Sequence, residues 1–228
     1  MTMFKSQIDY VLLQDYPETR AYLTGKLREL IRGESVVLDA GCGKFNQLLS
    51  HCDVRELVGV DINSRAVAVN RSISRGIVAD LHSLDLAEAS FDGVMSFDVL
   101  EHLEKPELFL QQVLKVVKPG GFVFLVTPNK RSLFGLVAGL TSLRLKRILF
   151  SFLNLKMENE VHYYRANTTG SLRSLLSTFG CSEINLFVLN KLPSSRRFRA
   201  LMWPYFQLCR LGLLRRFGVG LLCIARKA

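Results

Sequence analysis

Residues 36–44, Val-Val-Leu-Asp-Ala-Gly-Cys-Gly-Lys, constrain this chain more than any other stretch. Val36, Val37 and Leu38 are a β-favouring run too short for a helix. The run stops at a carboxylate, Asp39, and turns through Gly41 and Gly43. Two glycines permit a tight turn and let a ligand lie close to bare backbone. Gln47, Leu48 and Leu49 begin a helical pattern, which would leave free N–H groups facing the turn. Strand, glycine turn and helix together make a nucleotide site at the carboxyl edge of an α/β sheet.

The following residues keep the same rhythm. Residues 17–32 read as an amphipathic helix, opened by Pro17 and stopped by Gly33. Residues 57–61 are a second buried strand that ends in Asp61, and Ser64 is placed to cap the helix after it. Residues 76–80 are a third strand, again closed by an acid, Asp80. Residues 93–97 are the fourth strand, followed by a helical turn at residues 99–103, Val-Leu-Glu-His-Leu. Pro106 opens a helix that ends at Lys-Pro-Gly-Gly (118–121), and residues 122–126 are the fifth strand. Thr168 or Thr169 caps a later helix that ends at Gly180, and residues 184–189 and 219–225 are the last two strands. Strands alternating with helices imply a mostly parallel sheet with helices on both faces.

The rhythm breaks twice, at an apolar-basic insertion (about 130–160) and at a basic helical insertion (about 191–217) interrupted by Pro204. No repeat or linker divides residues 1–228, so one domain is expected. Five cysteines without a Cys-x-x-Cys pair suit reduced thiols in a cytoplasmic protein. No apolar run reaches the roughly 20 residues of a membrane span. Charge is segregated: up to Glu107 there are 17 Asp/Glu against 11 Lys/Arg, and afterwards 19 Lys/Arg against 3 Asp/Glu. A basic half of this kind is a solvated face, or meets an anionic substrate, membrane surface or nucleic acid.

Five segments taken in order resemble the class I S-adenosylmethionine-dependent methyltransferases. They are Val-Leu-Asp-Ala-Gly-Cys-Gly (37–43), Val-Gly-Val-Asp (58–61), Val-Ala-Asp (78–80), Phe-Asp-Gly-Val-Met-Ser-Phe-Asp-Val-Leu-Glu-His-Leu (91–103) and Lys-Pro-Gly-Gly (118–121). The branch resembled includes quinone-biosynthesis and glycan-modifying enzymes. The resemblance implies a Rossmann-like, doubly wound, seven-stranded α/β sheet whose last strand is antiparallel. It departs from the family at Phe45, which stands where a third glycine is usual. A dehydrogenase fits less well, since Asn46 occupies the third glycine position of Gly-x-Gly-x-x-Gly.

The resemblance implies that Asp39, Gly41, Cys42 and Gly43 hold the amino end of the cofactor, S-adenosyl-L-methionine. Asp61 would accept from the ribose hydroxyls, and its offset of 22 residues from Asp39 suits that role. Ile62 would offer a face to adenine, Asp80 would accept from the adenine amino group, and Leu81 would add backbone contacts. Phe97 would touch the cofactor from the fourth strand. His102 and His162 are the candidate bases, because an imidazole titrates near working pH; for each, a structural role is the alternative. His51 and His82 read as surface residues, and no cluster has metal-ligand spacing, so no metal is expected.

The expected function is methyl transfer to a small-molecule or lipid- or glycan-linked acceptor, with O-methylation first. Residues 196–216 mix Leu201, Trp203, Phe206 and Leu211 with arginines, which suits an anionic bilayer but also a core or oligomer contact. Peripheral placement at the inner membrane surface is therefore open, and nucleic acid is disfavoured because no RNA-binding module is present. The competing reading is a non-catalytic methyltransferase-like module that docks to a membrane or a protein.

Overall fold

A computed structural model describes residues 8–13, 16–45, 48, 52–132, 162–191 and 196–228. Its centre is one eight-stranded sheet. The strands are β1 (Ile8–Leu13), β2 (Val36–Ala40), β3 (Glu56–Asp61), β4 (Arg75–Val78), β5 (Phe91–Phe97), β6 (Val117–Pro128), β7 (Cys181–Lys191) and β8 (Gly220–Lys227). The helices are α1 (Tyr16–Leu30), α2 (Ser64–Val69), α3 (Pro106–Val116), α4 (Thr169–Thr178) and α5 (Arg196–Arg210).

The spatial order is β4-β3-β2-β5-β6-β8-β7-β1. Only β8 runs against its neighbours, pairing antiparallel with both β6 and β7. The antiparallel last strand is therefore present, but there are eight strands, not the expected seven. The extra one is β1, which pairs in parallel with β7 from Ile8↔Leu186 to Leu13↔Lys191. Its six residues have no turn signal before them, and its partner lies at the other end of the chain, so local pattern did not reveal it.

Side-chain alternation along the strands builds two apolar layers. Val36, Leu38 and Ala40 of β2 join Val123 and Leu125 of β6 against α3 (Phe109, Leu110, Val113) and α4 (Leu172, Leu176). Val37 of β2, Met95 of β5 and Phe122 and Phe124 of β6 lie on the other face against Leu23 and Leu27 of α1. Sheet glycines make room for this packing. A Cβ at Gly93 would sit 2.3 Å from the Phe122 ring, and one at Gly59 would sit 2.8 Å from Cys42 Sγ.

The local signals mostly act as written. Thr168 caps α4 through a full capping box with Ser171, and Gly180 takes φ +77 after it. Asn63, not Ser64, caps α2, its side chain accepting from the Ala66 amide. Pro204 lies inside α5 without ending it. The expected helix from Gln47 and the insertion at 133–161 fall outside the described residues.

Candidate active site at the carboxyl edge

The strand order reverses between β2 and β5, and ligands of open α/β sheets bind outside the carboxyl ends at such a point. A cavity of about 480 Å³ opens there, within the roughly 300–1,000 Å³ usual for small-molecule sites. The glycine turn (Gly41, Cys42, Gly43), Phe45, Phe97 and Asp98 line one side. Thr127 and Pro128 from the end of β6, Val219 and Gly220 from the start of β8, and Arg20 and Leu23 of α1 line the rest.

The turn is held from below. The Gly41 and Cys42 amides donate to the Val60 carbonyl at 2.8 and 3.0 Å. The Gly43 amide donates to Asp61 Oδ2 at 2.9 Å, and buried Asn70 donates through Nδ2 to the Cys42 and Gly43 carbonyls at 3.1 Å each. The turn's own N–H groups are therefore taken by β3, while the helix start at Gln47, whose free N–H groups were expected to face the turn, lies outside the described residues. What the glycines provide is shape. Gly41 and Gly43 have φ of +83° and +51°, and a Cβ on Gly43 would meet nothing within 4 Å, so this backbone faces open space.

Asp39 lies next to the last residue of β2, Asp61 ends β3 and Asp80 follows β4 by two residues, and the three sit in different environments. Asp39 is buried (1% exposed) on the α1 face of β2. Asp61 is half-buried, and its two oxygens accept from the Gly43 and Asn63 amides at 2.9 and 2.8 Å. Each carboxylate oxygen has a second lone pair, so Asp61 keeps capacity for two hydroxyl donors. Asp80 is exposed, and its Oδ1 accepts from the His82 amide at 2.9 Å and sits 2.8 Å from His82 Nδ1. These hydrogen bonds hold the Asp80 carboxyl below the usual range. His82 is thus not a free surface residue but the partner of Asp80, and His51 lies outside the described residues.

Ile62 is 73% exposed beside Asp61, and Leu81 is buried after Asp80. The cavity gathers Gly41, Cys42, Gly43 and Phe97, while Asp39, Asp61, Ile62, Asp80 and Leu81 lie outside its lining. Burial first, then the Asp39 and Asp61 charges, push the Cys42 thiol up to about 12, so it stays neutral.

Sequence reasoning missed the group behind the two histidines. Glu101 is 3% exposed. Its Oε2 accepts from Thr127 Oγ1 at 2.9 Å, and Thr127 in turn accepts from Asn167 Nδ2 at 2.5 Å. The Glu101 carbonyl accepts from the Tyr163 and Tyr164 amides at 2.7 and 3.3 Å. One residue thereby ties the turn after β5, the end of β6 and the segment that carries His162. Burial pushes its carboxyl up to about 7 against its own hydrogen bonds, with the Asp98 charge adding to the rise. His102 Nε2 lies 4.0 Å from Glu101 Oε1. The His102 and His162 rings are 4.5 Å apart, and His162 stacks on Tyr164 at 5.5 Å. Neither histidine lines the cavity; Thr127, one hydrogen bond from Glu101, does.

Residues 38–125 match the family described as "Methyltransferase domain". The class I architecture is seen again in the crystal structure of a SAM-dependent methyltransferase from Archaeoglobus fulgidus. That structure covers 93% of this chain and 96% of its own, with a TM-score of 0.58 at 18% identity. The matched segment is a methyltransferase domain, set in a class I fold. Among class I relatives, the "Probable S-adenosylmethionine-dependent methyltransferase" of Mycobacterium tuberculosis is 36% identical over 98 residues, 41% of this chain and 36% of its own. The ubiquinone biosynthesis O-methyltransferase of Rhizobium etli is 36% identical over 104 residues, 41% of each chain. The chain thus spans about two fifths of the length of the curated relatives it matches.

The residues present fit the cofactor of this methyltransferase family. Gly43 opens its backbone to the cavity mouth, Asp61 offers two acceptor positions, and the cavity has room beyond. Among the described residues no three His, Cys, Asp or Glu side chains gather where a metal ion would sit. No described helix is long and apolar enough to cross a membrane.

Proposed function

We propose that this chain methylates a hydroxyl group on a small-molecule or lipid- or glycan-linked acceptor. The observation that supports it most is the adjacency of a glycine-turn cavity and a buried acid bearing a histidine pair, joined through Thr127. S-adenosylmethionine, when bound, supplies an activated methyl group on a sulfonium centre.

Asp61 binds the ribose hydroxyls, Asp80 with Leu81 receives the adenine edge, and Ile62 lies against its face. Asp39, Gly41 and Cys42 shape the amino end, and Phe97 closes the cavity floor. Because the Cys42 thiol is held neutral, it does not compete for the methyl group. Alignment supplies much of the rate, and a hydroxyl nucleophile must also lose its proton. The candidate proton acceptors are His102 and His162, which stand beside the cavity and not in its lining, and Glu101 is a positioning residue that fixes the turn carrying His102. The O-methyltransferase named among the relatives agrees with an oxygen acceptor.

A peripheral membrane contact is the second reading, favoured by α5. Leu201 and Leu208, about two helical turns apart on one face, are exposed, as are Trp203 and, after the helix, Leu211 and Leu213. This surface suits a lipid-linked acceptor, or a module that docks without turnover.

The test is incubation of lipid and polar extracts with methyl-labelled cofactor, beside calorimetry with S-adenosylhomocysteine. Label should enter an oxygen-linked product. Asp61→Ala should weaken S-adenosylhomocysteine about tenfold or more, as loss of hydrogen bonds to a charged acceptor costs about 1.5–3 kcal/mol. His102→Ala or His162→Ala should lower turnover roughly 10²–10⁴-fold with that affinity kept. Cofactor binding without turnover would leave only the docking reading.

A further inference from the structure

A second cavity, about 310 Å³, lies across the sheet from the first. Tyr10 of β1, Val188 of β7, Asn129 and Arg131 after β6, Thr169 of α4, and Arg216 and Phe217 before β8 line it. Tyr10 and Val188 are register partners and share one face, while Leu189, the next residue, lines the first cavity. Pro128 and Asn129 likewise divide between the two. The cavities are therefore neighbours at one edge of the sheet, on opposite faces.

The chemistry of this cavity is one-sided. Two arginines line it and no carboxylate does. Among the described residues neither guanidinium is bridged to an acid. The last acid of the chain, Glu183, stands near the start of β7, at the far edge of the sheet. Asp9 lies one residue from Tyr10 and so on the opposite face of β1. Such a concentration of positive charge in a concave site disfavours the empty state and favours a multiply charged anion.

One of the two lining cations is also held in place. Arg216 lies over the Phe217 ring at 5.0 Å, and neighbouring Arg215 lies over Tyr10 at 4.8 Å. Stacked guanidinium groups lose less freedom on binding and present a planar fork suited to phosphate oxygens. Asn129 fixes the loop, donating from Nδ2 to the Gly218 carbonyl at 2.8 Å and accepting at Oδ1 from the Arg131 amide at 3.0 Å. Thr169, in the first turn of α4, adds the partial positive charge of a helix start. Tyr10 and Thr169 hydroxyls complete a polar lining.

We propose that this cavity seats the phosphate ester group of an anionic ligand, with Arg131 and Arg216 as its cationic contacts. Its volume takes a phosphate together with a small alcohol moiety. The group belongs either to a phospholipid headgroup or to a soluble phosphorylated compound. The proposal does not depend on methyl transfer.

The test uses the whole chain and the double variant Arg131→Gln/Arg216→Gln. Calorimetry with inorganic phosphate and with glycerol 3-phosphate forms one arm. Flotation with phosphatidylglycerol vesicles, against phosphatidylcholine, forms the other. Binding in the soluble arm that falls at least tenfold in the variant supports a phosphorylated small molecule. Flotation on phosphatidylglycerol alone, lost in the variant, supports a headgroup. S-adenosylhomocysteine affinity and melting temperature should match the parent in both cases. Arg131→Lys/Arg216→Lys should retain part of the binding, because charge persists without the fork. Absence of binding in both arms overturns the proposal, and so does binding that the glutamine variant retains in full.

Discussion

At the scale of single residues, Glu101 carries the clearest physical consequence. Its carboxyl is pushed up to about 7 from an ordinary value of 4.5, mainly by burial. The fold therefore binds this proton more tightly than the unfolded chain does. Glu101 costs no stability below the unfolded value, and its cost grows as pH rises through 4.5 towards 7. The full difference is roughly 3–4 kcal/mol, at about 1.4 kcal/mol per pH unit. Glu101→Gln should flatten this decline, seen as a smaller loss of denaturation midpoint between pH 5 and 8. The amide still accepts from Thr127, so a drop in turnover in that variant would report lost positioning of His102. Sequence showed Glu101 only as a letter between a leucine and a histidine. Its role arises from Thr127 and Asn167, 26 and 66 positions away, which no local pattern connects.

At the scale of elements, two glycines separate packing from binding. Gly93 in β5 faces the Phe122 ring, which an added Cβ would enter at 2.3 Å. Gly93→Ala should cost about 1–3 kcal/mol by overpacking, lowering the melting temperature by several degrees. Gly43→Ala meets nothing within 4 Å but must adopt φ +51°. It should cost only about 1 kcal/mol of stability, yet weaken S-adenosylhomocysteine more than Gly93→Ala does, since its methyl points into the ligand's space. The inner strands β2, β3 and β5 were legible because each is short and mostly apolar and carries or is followed by an acid near its end. Asn63 displaced Ser64 as the α2 cap because both residue types serve, and only backbone geometry decides between adjacent positions. The hold on the glycine turn was not legible for a related reason: the acceptor of the Gly41 and Cys42 amides, the Val60 carbonyl, belongs to the next strand.

At the scale of the whole molecule, the carboxyl edge collects almost everything with chemical character. β7 ends there and β8 begins there, so α5 between them is delivered to the same edge as the glycine turn. If this side rests on an anionic bilayer, Leu201→Ser/Trp203→Ser should reduce flotation with phosphatidylglycerol vesicles severalfold. Raising the salt should weaken what remains, as charge attraction is screened. Unchanged flotation in that variant would leave α5 out of the contact. The segregation of charge along the chain anticipated this polarity, though not the faces on which the cations settle.

The pairing of β1 with β7 bears on how the protein is made. Ile8 is synthesised well before its partner, Leu186, which lies 178 residues further on. While β2 to β6 assemble beside one another, the leading strand has no edge to join, because β7 reaches the sheet only through β8. Order of synthesis and order of closure thus run in opposite directions. On a ribosome β1 must wait, unpaired and open to chaperones, until β7 and β8 have emerged.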